Sequence, residues 1–110
     1  MAYDEKLAQR LRTLLAKERS VTEKKMFGGL GFLVRGNMCV SASGKGGMLV
    51  RIDPEESDEA IGRPHATLME MGGRTMAGWI RVDAAGLETE RQLASWVNRS
   101  LAYVKTLPAK

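Results

Sequence analysis

The sequence predicts an α+β fold, in which an antiparallel sheet is flanked by an N-terminal and a C-terminal helix and a short helix lies between strands. Segments with the 3.6-residue apolar period of a helix stand at both ends of the chain, and segments with the two-residue period of a strand lie between them. The predicted order is helix, three strands, short helix, one or two strands and long helix. The chain of 110 residues fits one domain, 1–110.

The first predicted element is an amphipathic helix from Asp4 to about Arg19. Its apolar face consists of leucines at helical spacing, namely Leu7, Leu11, Leu14 and Leu15. The pattern stops at Ser20, and strand-type sequence begins near Lys25.

A β-hairpin is the clearest local signal in the chain. Apolar residues alternate over 30–34 and again over 38–42, and the dipeptide Gly36-Asn37 between them is typical of a tight turn. A glycine-rich connection then leads to a third alternating segment over 48–52. The three strands are therefore predicted to form an antiparallel meander.

The second half contains two helix starts and one clear strand. Asp53 is a helix cap, Pro54 suits the first helical position, and Glu56 has capping-box spacing, so a short helix is predicted to end at Gly62. A strand is predicted over 76–82 and the long helix over 89–106, starting from a capping box formed by its first and fourth residues.

Composition limits the class of protein. The net charge of +4 and the interspersed acidic and basic residues permit an acidic partner without identifying one. Cys39 is the only cysteine, so no intramolecular disulfide forms, and with His65 it cannot build a closed zinc site. We expect no metal and no cofactor. The N-terminus has no continuous apolar run, so we expect a cytoplasmic protein without a membrane anchor.

Two glycine doublets stand out, Gly28-Gly29 and Gly72-Gly73. The first lacks both the Walker spacing and the Rossmann strand-turn-helix context of a phosphate loop. We interpret its glycines as positions of positive φ or of close backbone approach at the start of a strand. Beside the second doublet, Glu70 is predicted to form an ion pair with Arg74 or Arg51; catalysis is the alternative, but no second acid or base stands at an informative spacing.

Basic and aromatic residues supply the candidate contacts. Five basic residues near the strands either converge on an anion or belong to a solvated sheet edge, which we favour: Lys24, Lys25, Arg35, Arg51 and Arg74. Trp96 lies on the inward face of the last helix, and its place is predicted to be the core. Trp79 covers a sheet face or sits at an interface.

Several separated motifs, in this order, resemble the N-terminal domain of the TfoX/Sxy family: Met26-Phe27-Gly28-Gly29-Leu30-Gly31-Phe32, Met69-Glu70-Met71-Gly72-Gly73-Arg74, Gly78-Trp79 and Ala102-Tyr103-Val104-Lys105-Thr106-Leu107-Pro108. The resemblance implies an α+β domain with a helix-flanked antiparallel sheet and a place in the regulation of bacterial competence. Full-length members carry a second, C-terminal domain and are linked to activation of DNA-uptake genes. We expect no such domain within these 110 residues, so we carry over the fold and a regulatory function, and no catalytic residue.

The sequence therefore favours a non-enzymatic regulatory module that binds a protein, or a second copy of itself, through a sheet face or an exposed edge. The residues expected to shape that surface are Gly28, Gly29, Gly72, Gly73 and Glu70, and those expected to contact the partner are Arg51, Arg74 and Trp79. Two alternatives remain open: an accessory factor that binds nucleic acid in transcriptional regulation, and a small-molecule-binding or enzymatic domain with a closed pocket containing Glu70.

Overall fold

An antiparallel sheet and helices make up the α+β fold, as the sequence predicts. The computed structural model describes residues 3–26, 28–44 and 46–109. In chain order, its elements are α1 (Glu5–Leu15), β1 (Val21–Met26), β2 (Gly29–Val34), β3 (Asn37–Ala42), β4 (Met48–Arg51), a 3-10 turn (Pro54–Glu56), α2 (Ser57–Ile61), β5 (Ala66–Met71), β6 (Arg74–Val82), a second 3-10 turn (Ala84–Leu87) and α3 (Glu90–Val104).

The six described strands lie in the order β1-β2-β3-β4-β6-β5, and every neighbouring pair is antiparallel. The first four form the meander, with β1 added to the three strands predicted. The β5–β6 hairpin joins the sheet through β6, which pairs with β4. Consequently β1 and β5 are the two edge strands.

The N-terminal helix is shorter than predicted, and strand structure begins earlier than the expected position near Lys25. Asp4 caps α1 by accepting hydrogen bonds from the backbone N–H groups of Lys6 and Leu7. The helix ends at Leu15 rather than near Arg19. The strand β1 then begins at Val21. Most of its side chains face solvent, so its sequence lacks the apolar alternation by which a strand is recognised.

The predicted β2–β3 hairpin is present, but its turn lies one residue earlier than expected. Val34 pairs with Asn37, so the turn residues are Arg35 and Gly36, with φ of 52° and 84°. Asn37 is buried in β3, where its Nδ2 donates to the carbonyl of Pro108 at 2.9 Å. This tertiary hydrogen bond keeps the asparagine in the strand.

Both helix starts in the second half use the predicted caps, with one exception. The Asp53 carboxylate accepts a hydrogen bond from the backbone N–H of Glu55, and α2 stops before Gly62. Glu56 forms no capping box, because its carboxylate accepts a hydrogen bond from Arg99 on α3. The capping box that starts α3 at Thr89 is confirmed.

One apolar core lies between the sheet and the helices. Its largest fully buried side chains come from α1, α3, all four inner strands and the residue that follows β4: Phe32, Leu11, Met48, Ile52, Ile80, Leu93, Val34, Val40, Val50, Val82, Val97 and Val104. Trp96 is 7% exposed and belongs to this core, as predicted. Leu49 is buried outside this core cluster, since successive residues of β4 point to opposite faces of the sheet.

Candidate functional site

The side chains of Arg51, Trp79 and Tyr103 meet at one place, which we call the Arg51 cluster. The guanidinium carbon of Arg51 lies 5.3 Å from the centroid of the Trp79 ring and 5.7 Å from that of Tyr103. Both distances are within the range of cation–π attraction. All three side chains are half-buried, so the cluster remains in contact with solvent.

Three elements build the cluster. Arg51 is the last residue of β4, and Trp79 is its cross-strand partner on β6. Directly opposite residues of an antiparallel pair project to the same face and lie close together. Tyr103 comes from the last turn of α3. Of the three predicted partner contacts, the structure therefore brings Arg51 and Trp79 together, and it adds a tyrosine that local sequence patterns do not indicate.

Gly78 fixes the backbone that presents Trp79. It has φ of 85°, and its N–H donates to the buried hydroxyl of Ser57 at 2.7 Å, while its carbonyl accepts from the N–H of Ile52 at 2.8 Å. A Cβ at this position would lie 3.0 Å from both the Ile52 carbonyl oxygen and the Pro54 ring. Glycine is required here both by the positive φ and by the close approach.

The third predicted contact, Arg74, lies away from the cluster. Leu68 pairs with Ile80 but the next residue, Met69, pairs with Met76, so residues 77–79 bulge out of the β5–β6 ladder. Beyond this bulge, β6 has no pairing with β4, and residues 69–76 form a distal hairpin paired only with itself. Arg74 stands at the tip of the distal hairpin and is exposed.

The predicted ion pair of Glu70 is not formed with Arg74 or Arg51 in the part of the chain that the structure describes. Glu70 is opposite Thr75, whereas Arg74 is opposite Met71 in the next pair. Consecutive pairs of a ladder project to opposite faces, so Glu70 and Arg74 point away from each other. Glu70 is an exposed side chain of the distal hairpin.

Arg51 carries its charge without an acidic partner. In the described ranges, no carboxylate lies within ion-pair distance of its guanidinium, and no protein acceptor takes its N–H donors. A second arginine over an indole behaves differently: Arg99 lies 5.8 Å from the Trp96 ring centroid and pairs with both Glu56 and Glu59. The Arg99 guanidinium also lowers the pKa of the Glu59 carboxyl.

The five basic residues that might converge on an anion are distributed over the sheet. Lys24 and Lys25 are exposed on the edge strand β1, three strands away from β4. Arg35 donates a hydrogen bond to the carbonyl of Lys105 at 2.8 Å. These residues therefore lie apart from Arg51. Lys24 and Lys25 lie on a sheet edge, as the favoured interpretation expects, whereas Arg35 lies in the β2–β3 turn and Arg51 on an inner strand.

The two glycine doublets have the geometry inferred from the sequence. Gly28, Gly72 and Gly73 all have positive φ, and a Cβ on any of them would meet no atom within 4 Å. Gly29 is the position of close approach, because a Cβ there would lie 2.3 Å from the carbonyl oxygen of Ala42.

Among the depressions on the described surface, two have walls that do not include Glu70. One, of about 370 Å³, lies between α1 and β1, and its walls include Leu15, Val21 and Phe32. The other, of about 260 Å³, lies beside the start of α3, and its walls include Arg91 and Trp96. Among the described residues, no group of three or more His, Cys, Asp or Glu side chains is placed to hold a metal ion.

The Cys39 thiol is buried, and burial raises its pKa to about 11. At neutral pH it is therefore protonated, which removes the thiolate that nucleophilic chemistry requires. The Ser100 hydroxyl donates to the Cys39 carbonyl at 2.8 Å and links α3 to β3.

The chain is similar to one known protein family. The family model described as TfoX N-terminal domain matches residues 13–104. No curated protein and no solved structure matches the chain. Within the described residues, no helix has both the length and the apolar character needed to cross a bilayer.

Proposed function

The chain belongs to the TfoX N-terminal domain family, and from this membership and the Arg51 cluster we propose a cytoplasmic, non-enzymatic regulatory module that binds another protein. The contact surface is the Arg51 cluster. The regulatory part of the proposal rests on the family resemblance to competence regulators, since a fold by itself does not define a function.

The observation that supports protein binding is the set of neighbours around the Arg51 guanidinium. The guanidinium carbon lies 5.3 and 5.7 Å from the centroids of two aromatic rings, yet the guanidinium has no acidic partner among the described residues. Stacking restricts the side chain before a partner arrives, so less conformational entropy is lost on binding. An arginine has five N–H donors, and a carboxylate on a partner can accept two of them at once.

The composition of the cluster supports the same conclusion. Tryptophan, tyrosine and arginine are the residue types enriched where binding energy concentrates in protein interfaces. All three occur here, half-buried and adjacent. A partner with an acidic side chain beside an apolar surface would match both the charge and the rings.

The test is affinity capture from a lysate of the source organism, with and without nuclease, followed by mass spectrometry. Four immobilised proteins are compared: the wild type, Trp79→Ala, Arg74→Ala and Arg91→Ala. Arg91 is exposed on α3, so the Arg91→Ala substitution removes one arginine and leaves the Arg51 cluster unchanged. Circular dichroism establishes beforehand that each variant is folded.

We expect one defined protein to be retained by the wild type after nuclease treatment, lost from Trp79→Ala and kept by Arg91→Ala. Loss from Arg74→Ala as well would extend the contact surface to the distal hairpin. Equal retention by Trp79→Ala and the wild type would contradict the proposal. Retention that nuclease abolishes would replace it with nucleic-acid binding, whose affinity falls steeply with salt.

A further inference from the structure

The two edges of the sheet differ in their protection against strand pairing. Within its six residues, β1 has three charged side chains, Glu23, Lys24 and Lys25, and all three are exposed. Within its six residues, β5 has only Glu70. Charged side chains on an edge strand oppose pairing with another chain, and their scarcity leaves an edge open. The β5 edge is therefore the less protected of the two.

The hydrogen bonds of the β5–β6 ladder show which backbone groups face outward. Asp83 donates its N–H to the carbonyl of His65 at 3.0 Å, so the backbone of His65 faces β6. Because this direction alternates along an antiparallel strand, Leu68 turns its N–H and carbonyl away from β6. The N–H and carbonyl of Leu68 therefore lie on the outer edge of β5.

The turn of the distal hairpin also indicates which backbone groups of β5 face outward, starting from the C-terminal end of the strand. Gly72 and Gly73 form a two-residue turn, so the flanking pair, Met71 and Arg74, is hydrogen-bonded. Glu70 is one residue earlier and turns its N–H and carbonyl outward. Leu68 and Glu70 thus present two sets of backbone groups in a row.

Apolar residues that are not fully buried occur on β5 and on the helix packed against it. Ile61 is 38% exposed and is the exposed large hydrophobic residue of the described chain. It ends α2, which packs against β5 and β6. Leu68 and Met69 on β5 are half-buried. A strand that adds to β5 would lie beside Leu68 on one face of the sheet and beside Met69 on the other.

From these observations we propose that the outer edge of β5 pairs antiparallel with β5 of a second copy, so that two sheets continue across a two-fold axis. In the register that sets Leu68 opposite Glu70 of the second copy, the outward backbone groups of both strands match. Met69 then faces Met69 of the second copy, and the two Glu70 carboxylates are not opposite each other, which avoids like-charge repulsion. This edge is distinct from the Arg51 cluster.

Proline substitutions on the two edges give a matched test. Glu70→Pro removes an outward N–H from β5, and such a proline is tolerated on an edge strand. The control is Lys25→Pro on β1. The backbone N–H of Arg35 donates to the Ser20 carbonyl, so the backbone of Ser20 faces β2. Because this direction alternates along the strand, the N–H of Lys25 faces outward. Both variants lose one charge and one N–H, and only one lies on the proposed interface.

Sedimentation velocity over a concentration series is the measurement. We expect the wild type and Lys25→Pro to shift with concentration from 12.1 kDa towards twice that mass. Glu70→Pro should dimerise at least about tenfold more weakly. Thr67→Lys, which keeps every backbone N–H and adds a charge to the exposed face of β5, should weaken the dimer as well, whereas Thr22→Lys on β1 should not.

Two outcomes would overturn the proposal. One is a wild type that sediments as a monomer up to about 1 mM, where binding would be weaker than about 4 kcal/mol. The other is a dimer that Glu70→Pro and Thr67→Lys, both shown by circular dichroism to be folded, leave as strong as in the wild type. Neither measurement needs the partner of the Arg51 cluster, so the two proposals fail or stand separately.

Discussion

The two hairpins with glycine doublets look alike in sequence and differ in how they are attached to the molecule. At the β1–β2 turn, Gly29 lies against the carbonyl of Ala42, where a Cβ would be 2.3 Å from the oxygen. At the β5–β6 turn, Gly72 and Gly73 have open space around them. One doublet lets two strands pack, and the other only reverses the chain. The same motif therefore allows close backbone packing in the first hairpin and forms an unpacked turn in the second.

Side-chain contacts extend this difference. The guanidinium of Arg12 on α1 donates two hydrogen bonds to the carboxylate of Glu23 on β1, at 2.7 and 2.9 Å. Residues 69–76 of the distal hairpin pair only with each other. The first hairpin is thus built into the fold, and the second leaves the sheet at the bulge that presents Trp79.

The largest effect should come from Gly29→Ala. The added methyl group would overlap a backbone carbonyl, so a strand has to move, and we expect a loss of roughly 3 kcal/mol in the free energy of unfolding. Urea unfolding followed by circular dichroism measures it. Gly28→Ala is the matched control, since it carries only the strain of its positive φ. Equal losses in the two variants would mean that close packing at Gly29 does not contribute, and would contradict the proposed difference between the two hairpins.

Gly78→Ala should come next, at about 2 kcal/mol, because the positive φ and the 3.0 Å approach to Ile52 both oppose a side chain. We also expect a change in the fluorescence of Trp79, which follows directly in the chain. Recording the spectrum in a Trp96→Phe background isolates that indole. An unchanged spectrum together with unchanged stability would show that Gly78 does not position Trp79.

Gly73→Ala should cost about 1–2 kcal/mol, because only backbone strain opposes the methyl group. Gly73→Asn should cost less, since asparagine adopts positive φ more readily. Thermal unfolding of the two variants gives the comparison. If Gly73→Ala destabilised the protein as much as Gly29→Ala, the distal hairpin would be packed as tightly as the first.

The smallest effect concerns the Arg12–Glu23 pair. The Arg12 guanidinium lowers the pKa of the Glu23 carboxyl below its ordinary value of 4.5. A lowered pKa contributes stability above the unfolded value that is lost as the pH falls through the folded one. The side chains are exposed by 34% and 37%, so solvent screens the pair and its contribution to stability is small.

Unfolding of the wild type and Arg12→Met from pH 7 to pH 3 tests this contribution. The stability difference between the two proteins should shrink below pH 4.5. A difference that stays constant over this range would mean that the ion pair does not hold β1 to α1.

Local sequence patterns predicted the elements that depend on local chemistry. The capping box at Thr89, the β2–β3 hairpin and the inward position of Trp96 all follow from residue type and spacing. The strand β1 was not predicted, and strand-type sequence was expected only from near Lys25, because an exposed edge strand lacks the apolar alternation that signals a strand. The turn at Arg35 was misplaced by one residue because a distant carbonyl holds the next asparagine in β3.

The candidate site could be predicted only in part, for a similar reason. Arg51 and Trp79 were identifiable as a charged and an aromatic residue on strands, but their pairing depends on the connection of β4 to β6. Tyr103 reaches them because α3 crosses the sheet at that point. The pairing of Arg99 with Glu56 and Glu59 likewise joins residues distant in sequence. These contacts follow from topology, which single-residue patterns do not contain.

The most direct test of the account is the affinity of the captured partner for Arg51→Met, measured by titration calorimetry beside the wild type and Arg91→Met. Methionine keeps an unbranched apolar side chain at this position and removes the guanidinium. We predict that Arg51→Met weakens binding at least about tenfold and that Arg91→Met leaves it unchanged. Equal affinities for all three proteins would contradict the assignment of the Arg51 cluster as the binding surface.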